Sequence, residues 1–155
     1  MGRAADLYAK VSPRLAHRPG SAHATRLHAW VLRRSGGRLG RRFVGVPVIV
    51  LRTTGRRSGE PRESPMFYLS HGDSWAVMAS NAASERPPAW FLNLEANPDA
   101  DALVDGGWHA VRGRRATAEE SAELWPRFVE LYPGVEHYRS IAKRDFPIVI
   151  LERRC

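Results

Sequence analysis

Cysteine is almost absent from this chain of 155 residues: Cys155 is the only one. That excludes a disulfide framework and any thiolate-built zinc or iron–sulfur site. Lysine is nearly as scarce, with Lys10 and Lys143 alone, so the 24 basic side chains are almost all arginine. Long apolar runs are missing as well. The longest apolar stretch, Val44 to Leu51, falls far short of the roughly 20 residues that a membrane-spanning helix needs. Met1 to Gly20 has no signal-peptide core, because Arg3, Asp6, Lys10, Arg14 and Arg18 interrupt it. A cytoplasmic location is therefore expected, with peripheral contact at the inner face of the cell membrane through the basic N-terminal region as an alternative.

Familiar catalytic signatures are absent too. No G-x-G-x-x-G follows a strand pattern, and the glycine pair at 55 and 59 lacks the Lys-Ser/Thr of a phosphate-binding P-loop. There is no G-x-S-x-G and no H-E-x-x-H. His23 and His28 are five apart, which does not place them on one helix face, and no carboxylate pair stands out for acid–base work. No metal site is expected, and any catalysis is left to a bound cofactor.

What is present describes one ordinary domain. The chain is 43% hydrophobic and 26% charged, which excludes wholesale disorder. Its formal net charge of +8 is unevenly placed. Residues 1–62 carry 14 Arg or Lys against two acids, Asp6 and Glu60, while the remainder is net acidic. A GC-rich coding bias accounts for arginine over lysine, but not for arginines gathered in one half. Such a surplus points to phosphate, whether on nucleic acid, on a membrane or on a small anionic cofactor.

Residues 1–20 show no strong periodicity and read as a flexible arm, ending at Pro19-Gly20; residues 21–155 read as one domain. Ser21 can cap a helix that carries Leu27, Trp30, Val31 and Arg34 on one face, stopped by Ser35-Gly36-Gly37. Strands are expected at Val46–Leu51, Arg62–Leu69 and Trp75–Ser80, forming an antiparallel meander, with Pro65 marking an edge or bulge. Pro87-Pro88 opens a short helix over Ala89–Ala96. Ala102–Val104 and Trp108–Arg115 form a hairpin across Asp105-Gly106-Gly107. Thr117-Ala-Glu-Glu120 is a capping box for a helix to Leu131, with Leu124, Phe128 and Leu131 facing inward. A shorter helix follows over Val135–Lys143, and Phe146–Glu152 is a last apolar strand. Six strands with interleaved helices and no βαβ alternation predict an α+β, mainly β fold: a six-stranded antiparallel barrel with helices over its openings.

Two segments carry the chemistry. Thr53-Thr54-Gly55-Arg56-Arg57-Ser58-Gly59-Glu60-Pro61-Arg62 links two strands. Its glycines permit close backbone approach, and the guanidiniums of Arg56, Arg57 and Arg62 can grip phosphate or carboxylate. An anion cradle and a merely solvated basic turn are both open on these residues alone. The second segment is Met78-Ala79-Ser80-Asn81 followed by Pro87-Pro88-Ala89-Trp90-Phe91-Leu92-Asn93-Leu94. Small residues at 79, 80, 82 and 83 leave room for a flat ring that Trp90 could wall. Taken by themselves, Trp90 and Leu94 read better as the core face of a short helix.

The T-T-G-R-R-S-G turn, the A-S-N … P-A-W-F-L-N-L-E-A-N-P stretch, the L-Y-P turn and the closing F-P-I-V-I-L-E strand occur in one order and spacing. In these features the chain resembles the deazaflavin (coenzyme F420)-dependent nitroreductase family of split β-barrel, FMN-binding-like oxidoreductases, over about residues 25–153. The resemblance implies a site for coenzyme F420, a deazaflavin with a phosphodiester and an oligoglutamate tail. It places the phosphate and tail on Arg56, Arg57, Ser58, Gly59 and Arg62. It lays the ring along Pro65, Met66, Met78, Ala79, Ser80 and Asn81, with Pro88, Ala89 and Trp90 closing over it.

Tyr132 and Tyr138 match substrate-side tyrosines of the family. Val135, Phe67 and Asn81 depart from its pattern, which bears on substrate range. The implied activity is hydride transfer from reduced coenzyme F420 to an electron-poor small-molecule acceptor: a quinone, a nitroaromatic or an activated enone. Tyr138, or second to it Tyr132, is the catalytic candidate for hydrogen-bonding the acceptor. The alternatives are an FMN-using barrel of the same fold and a coenzyme carrier without turnover. No specific nucleic-acid binding is expected, because the Arg-rich region lacks interleaved aromatics. A monomer or a homodimer fits.

Overall fold

A nine-residue run of mostly β-branched and apolar side chains, Val46–Thr54, is the strand on which the sheet closes. It pairs with one neighbour on each side, which turns an open sheet into a barrel. The structure is a computed structural model that describes residues 42–43 and 46–154. Among these are strands β1 (Arg42–Phe43), β2 (Val46–Thr54), β3 (Pro61–His71), β4 (Ser74–Met78), β5 (Asp99–Val104), β6 (Gly107–Arg115) and β7 (Ile148–Arg153). The α-helices are α1 (Ala89–Ala96), α2 (Ala118–Leu131) and α3 (Gly134–Ile141), with a short 3-10 turn at Asn81–Ala83. The arm expected at residues 1–20 and the helix expected from Ser21 lie outside the described residues.

The strands run in the order β2-β3-β4-β7-β6-β5, and β5 returns to β2. Every pairing is antiparallel, so the six-stranded antiparallel barrel read from the sequence is the fold found. Two-residue β1 is an addition, paired with Val46 and Pro47. Ile49 and Leu51 of β2, Trp75 and Val77 of β4, and Val149 and Leu151 of β7 fill the interior. Trp90, Phe91 and Leu94 of α1 complete that same cluster and cover one opening. Full burial of side chains such as Ile49 and Leu51 contributes about 1.5–3 kcal/mol each.

Helix α2 begins as its sequence specifies. The Thr117 hydroxyl accepts from the Glu120 N–H at 3.2 Å, and the Glu120 carboxylate accepts from the Thr117 N–H at 2.8 Å. Arg114 of β6 donates to both oxygens of the same carboxylate, at 2.7 and 2.8 Å, and also to Glu152 of β7 at 2.6 Å. The Arg114 guanidinium, helped by the Thr117 N–H, holds the Glu120 carboxyl down to about 2. Leu124 and Phe128 then pack on Ala76, Ile148 and Ile150, which fastens α2 across the sheet. Leu131, expected on the same inward stripe, is only half-buried. Pro126 lies inside α2. The carbonyl it leaves without a donor belongs to Ala122, which is exposed.

Two strand ends differ from expectation. β4 stops at Met78: Ala79 still gives its N–H to the Pro147 carbonyl, but Pro147 has no N–H to return. Arg144 takes the Ala79 carbonyl, and Ser80 turns into the right-handed helical region. β7 starts at Ile148 rather than Phe146, after Pro147, which has no N–H to contribute.

Candidate functional site

The barrel is split where β3 outlasts its neighbour. β3 has eleven residues and β4 five, and only Tyr68–His71 pair with β4. The stretch Pro61–Phe67 therefore has a ladder on the β2 side alone. Pro65 sits in this one-sided stretch, opposite Val50, which is the local edge its missing N–H favours. Pro65, Met66 and Phe67 are all half-buried here. Met78, Ala82 and Ala83 share a cluster with Phe67, so the chain leaving β4 lies beside the gap.

One end of the gap carries the basic turn. Gly55 donates to the Glu60 carbonyl at 2.8 Å, and Gly59 donates to the Gly55 carbonyl at 2.7 Å. A Cβ on Gly55 would meet the Ser58 Oγ at 2.7 Å, and Gly59 has φ +70°, so both positions need glycine. Arg56, Arg57, Ser58, Gly59 and Arg62 are exposed together, with Arg62 Nη2 donating to Ser58 Oγ at 3.3 Å. The turn is tied to α1 by Asn93. Its Oδ1 accepts from the Arg56 backbone N–H at 3.1 Å and from Arg56 Nη1 at 3.3 Å, while its Nδ2 donates to Thr53 Oγ1 at 3.0 Å. Asn93 is 3% exposed and Thr53 1%; they are the only buried polar side chains among the described residues.

The far side of the gap is a left-handed segment without glycine. Asn81, Ala82 and Ala83 have φ of 46°, 49° and 61°. Asparagine tolerates this region, but each alanine costs about 1–2 kcal/mol there. Asn81 is exposed and donates through Nδ2 to the Arg86 carbonyl at 2.9 Å. Arg144, in the linker between α3 and β7, holds the segment. Its Nε donates to the Ser84 carbonyl at 2.9 Å, Nη1 to Ala79 at 2.9 Å, Nη2 to Ser80 at 2.8 Å, and Nη1 also to Asp145 at 3.0 Å. The guanidinium lies 5.2 Å from the Phe146 ring centroid, and burial lowers its pKa from the ordinary value.

Over the same face lie the tyrosines. Tyr132 follows α2 and Tyr138 is on α3; both are buried, with Val135 and Phe146, against Phe67, Met78, Ala82 and Ala83. Their hydroxyls are 3.4 Å apart, and the Tyr132 ring is 5.4 Å from that of Phe67. The rings thus pack as core while both hydroxyls sit at one point. Trp90 likewise packs inside, 7% exposed and edge-on to Phe91; Pro88 is buried and Ala89 exposed.

The structure brings the arginines of the basic turn, the β3 gap, the 78–81 segment and the tyrosines onto connected elements. It adds two residues the sequence reading did not select. Asn93 had a signal, since it lies inside the P-A-W-F-L-N-L run. Arg144 had none, being one more arginine in a polar linker. A separate cleft of about 480 Å³, lined by Trp75, His109 and Arg153, lies by the Gly72 and Asp105 turns at the other end of β3 from the basic turn. It shares no residue with this site. Among the described residues no cluster of His, Cys, Asp or Glu could hold a metal ion, and no helix is long and apolar enough to cross a membrane.

A six-stranded antiparallel barrel in this strand order, split beside a glycine-and-arginine turn, places the chain in the class of split-barrel proteins. The family model described as F420H(2)-dependent quinone reductase matches residues 24–153, and the chain belongs to that family. It is therefore an F420-dependent oxidoreductase with coenzyme F420 as cofactor. An F420H(2)-dependent quinone reductase of Mycobacterium tuberculosis is 33% identical over 133 residues, covering 83% of this chain and 89% of its own. A solved F420-H2 dependent reductase (FDR-A) superposes with TM-score 0.63 at 28% identity, covering 68% of this chain and 94% of its own. A structure described as a domain-swapped dimer gives TM-score 0.65 at 25% identity, over 87% of this chain and all of its own.

Proposed function

We propose that the chain passes a hydride from reduced coenzyme F420 to a quinone-type acceptor, with nitroaromatics and activated enones as further acceptors. The observation that carries this reading is the one-sided stretch of β3, open beside an arginine turn and faced by a tyrosine pair. The donor set fits the coenzyme: three exposed guanidiniums suit a phosphodiester and carboxylates, and the half-buried alanines at 82 and 83 leave space for a planar ring, while Ala79 is buried in the barrel interior.

In this reading Arg56, Arg57 and Arg62 hold the acidic tail, with Ser58 and the Gly59 turn shaping the cradle. Pro65, Met66, Met78, Ala79, Ser80 and Asn81 border the ring, and Pro88, Ala89 and Trp90 close the α1 side. The bound coenzyme supplies the hydride. The protein contributes alignment and exclusion of water rather than a covalent nucleophile. Tyr138, with Tyr132 beside it, would donate a hydrogen bond to the acceptor oxygen that gains charge, and the one proton that completes the reduction after the hydride comes from solvent.

The test is direct: purified protein, reduced coenzyme and menadione, followed by return of the oxidised deazaflavin absorbance. Turnover above the protein-free rate supports the reading. Absence of both turnover and coenzyme binding overturns it.

A further inference from the structure

The guanidinium of Arg144 is engaged almost wholly by backbone oxygen. Four contacts of 2.8–3.0 Å reach the carbonyls of Ala79, Ser80, Ser84 and Asp145. Its reach is specific to the chain that leaves β4: the first three carbonyls bracket the left-handed residues Asn81, Ala82 and Ala83. Peptide units are planar, and none is cis here, so each N–H points opposite to the carbonyl of its own unit. The N–H partner of the Ala79 carbonyl is that of Ser80, and the partner of the Ser80 carbonyl is that of Asn81. Both amides consequently point away from Arg144.

Arg144 also sits one turn beyond α3, the helix that carries Tyr138, and shares its linker with Phe146 of the tyrosine cluster. Ala82 and Ala83 pack on that cluster from the other side. One side chain thus links the acceptor-side helix to the strand end assigned to the ring. Lysine could not reproduce this, having three donors at one point instead of a planar fork.

We propose that Arg144 is the positioning residue of the ring site: by gathering the carbonyls of Ala79, Ser80 and Ser84 it aims the N–H groups of Ser80 and Asn81 at the polar edge of the deazaflavin ring and fixes their distance from Tyr138. This rests on the ring lying against residues 78–81. The hydrogen bonds of Arg144 go to the carbonyls of Ala79, Ser80, Ser84 and Asp145 and none goes to the arginine turn, so its removal is expected to act on the ring rather than on the tail.

Arg144→Met and Arg144→Lys are compared with the wild-type protein by titration with coenzyme F420 and with the deazaflavin nucleoside lacking the phosphodiester tail. The absorbance band of the bound ring is recorded, and amide hydrogen exchange of residues 79–85 is measured without ligand. Arg144→Met is expected to speed exchange across 79–85 by about tenfold while β2 and β7 stay protected. It is also expected to weaken both ligands by about tenfold and to shift the bound band. Arg144→Lys lies between it and wild type, and keeps the test available if Arg144→Met does not fold.

Arg56→Ala/Arg57→Ala is the contrast, losing affinity for the full coenzyme only. Unchanged exchange at 79–85, or tail-less ligand bound within about twofold of wild type, overturns the proposal. Failure of the wild-type protein to bind either ligand is a different result: it removes the coenzyme reading itself, and needs no variant to be seen.

Discussion

Replacing Asn93 separates what holds the basic turn in place from what leaves its arginines available. In Asn93→Ala the Arg56 N–H loses its acceptor and the Thr53 hydroxyl loses a donor at 3.0 Å. Thr53 is 1% exposed, so water does not reach its oxygen readily, whereas Arg56 is exposed and its N–H can be rehydrated. One unsatisfied buried group costs about 1–3 kcal/mol, and removing a carboxamide that is 3% exposed leaves a small void as well. The sum is about 2–4 kcal/mol. For a domain of this size each kcal/mol lowers Tm by about 2–4 °C, so a fall of about 4–16 °C is expected in a thermal melt. Coenzyme affinity falls too, because the turn is no longer tied to α1.

Asn93→Asp makes the discriminating comparison. The carboxylate still accepts from the Arg56 N–H and guanidinium, and the Thr53 hydroxyl can turn from the Arg62 carbonyl to donate to it. These bonds offset part of the cost of desolvating a charge where Asn93 is 3% exposed, so a melt no lower than that of Asn93→Ala is expected. The same carboxylate captures the Arg56 guanidinium, already 3.3 Å away, and competes with the acidic tail. Coenzyme binding should weaken about tenfold in a titration at low salt. Two results refute the reasoning: an Asn93→Ala melt indistinguishable from wild type, or Asn93→Asp binding the coenzyme at wild-type strength.

Three further outcomes are expected. Arg56→Ala/Arg57→Ala, both exposed, should leave the melt unchanged and weaken coenzyme binding by about 10–100-fold, with a shallower salt dependence; equal affinity would place the tail elsewhere. Glu120 has its carboxyl pulled from 4.5 to about 2, so the stabilisation it provides is complete above 4.5 and is lost as pH falls towards 2. Urea midpoints measured across that window should fall in the wild type and fall less steeply in Glu120→Gln, whose stability at neutral pH drops by about 1–2 kcal/mol. Tyr138→Phe keeps the packed ring and removes one of two hydroxyls 3.4 Å apart, so it should cost at most about 1 kcal/mol in a melt. Turnover with menadione should fall about tenfold or more at unchanged coenzyme affinity, and an unaltered rate would assign both tyrosines to packing alone.

Local rules made much of the fold legible before any coordinates. The Thr117–Glu120 capping box, the Asp105-Gly106 turn and the proline start of α1 act over a few residues, so their chemistry is complete within the segment. The basic turn was legible for the same reason, since its glycines answer to local geometry: close contacts at Gly55 and a positive φ at Gly59. Recognition of the coenzyme class came from four motifs in order. The end of β4 was less legible. Trp75–Ser80 continues as an apolar, strand-like run, and what stops it at Met78 is that Pro147, the next partner from the far end of the chain, has no N–H to return to Ala79.

By itself, then, the sequence determined which elements form, that they make an antiparallel barrel, and that a glycine-bounded turn between two strands exposes its arginines. Only the tertiary structure decided where that barrel is split, because the gap arises from the unequal lengths of β3 and β4 once they are in register. It alone gave Asn93 and Arg144 their work. Their partners are 37 and about 60 or more positions away, and a hydrogen bond over such a separation leaves no local pattern of spacing or propensity in the chain.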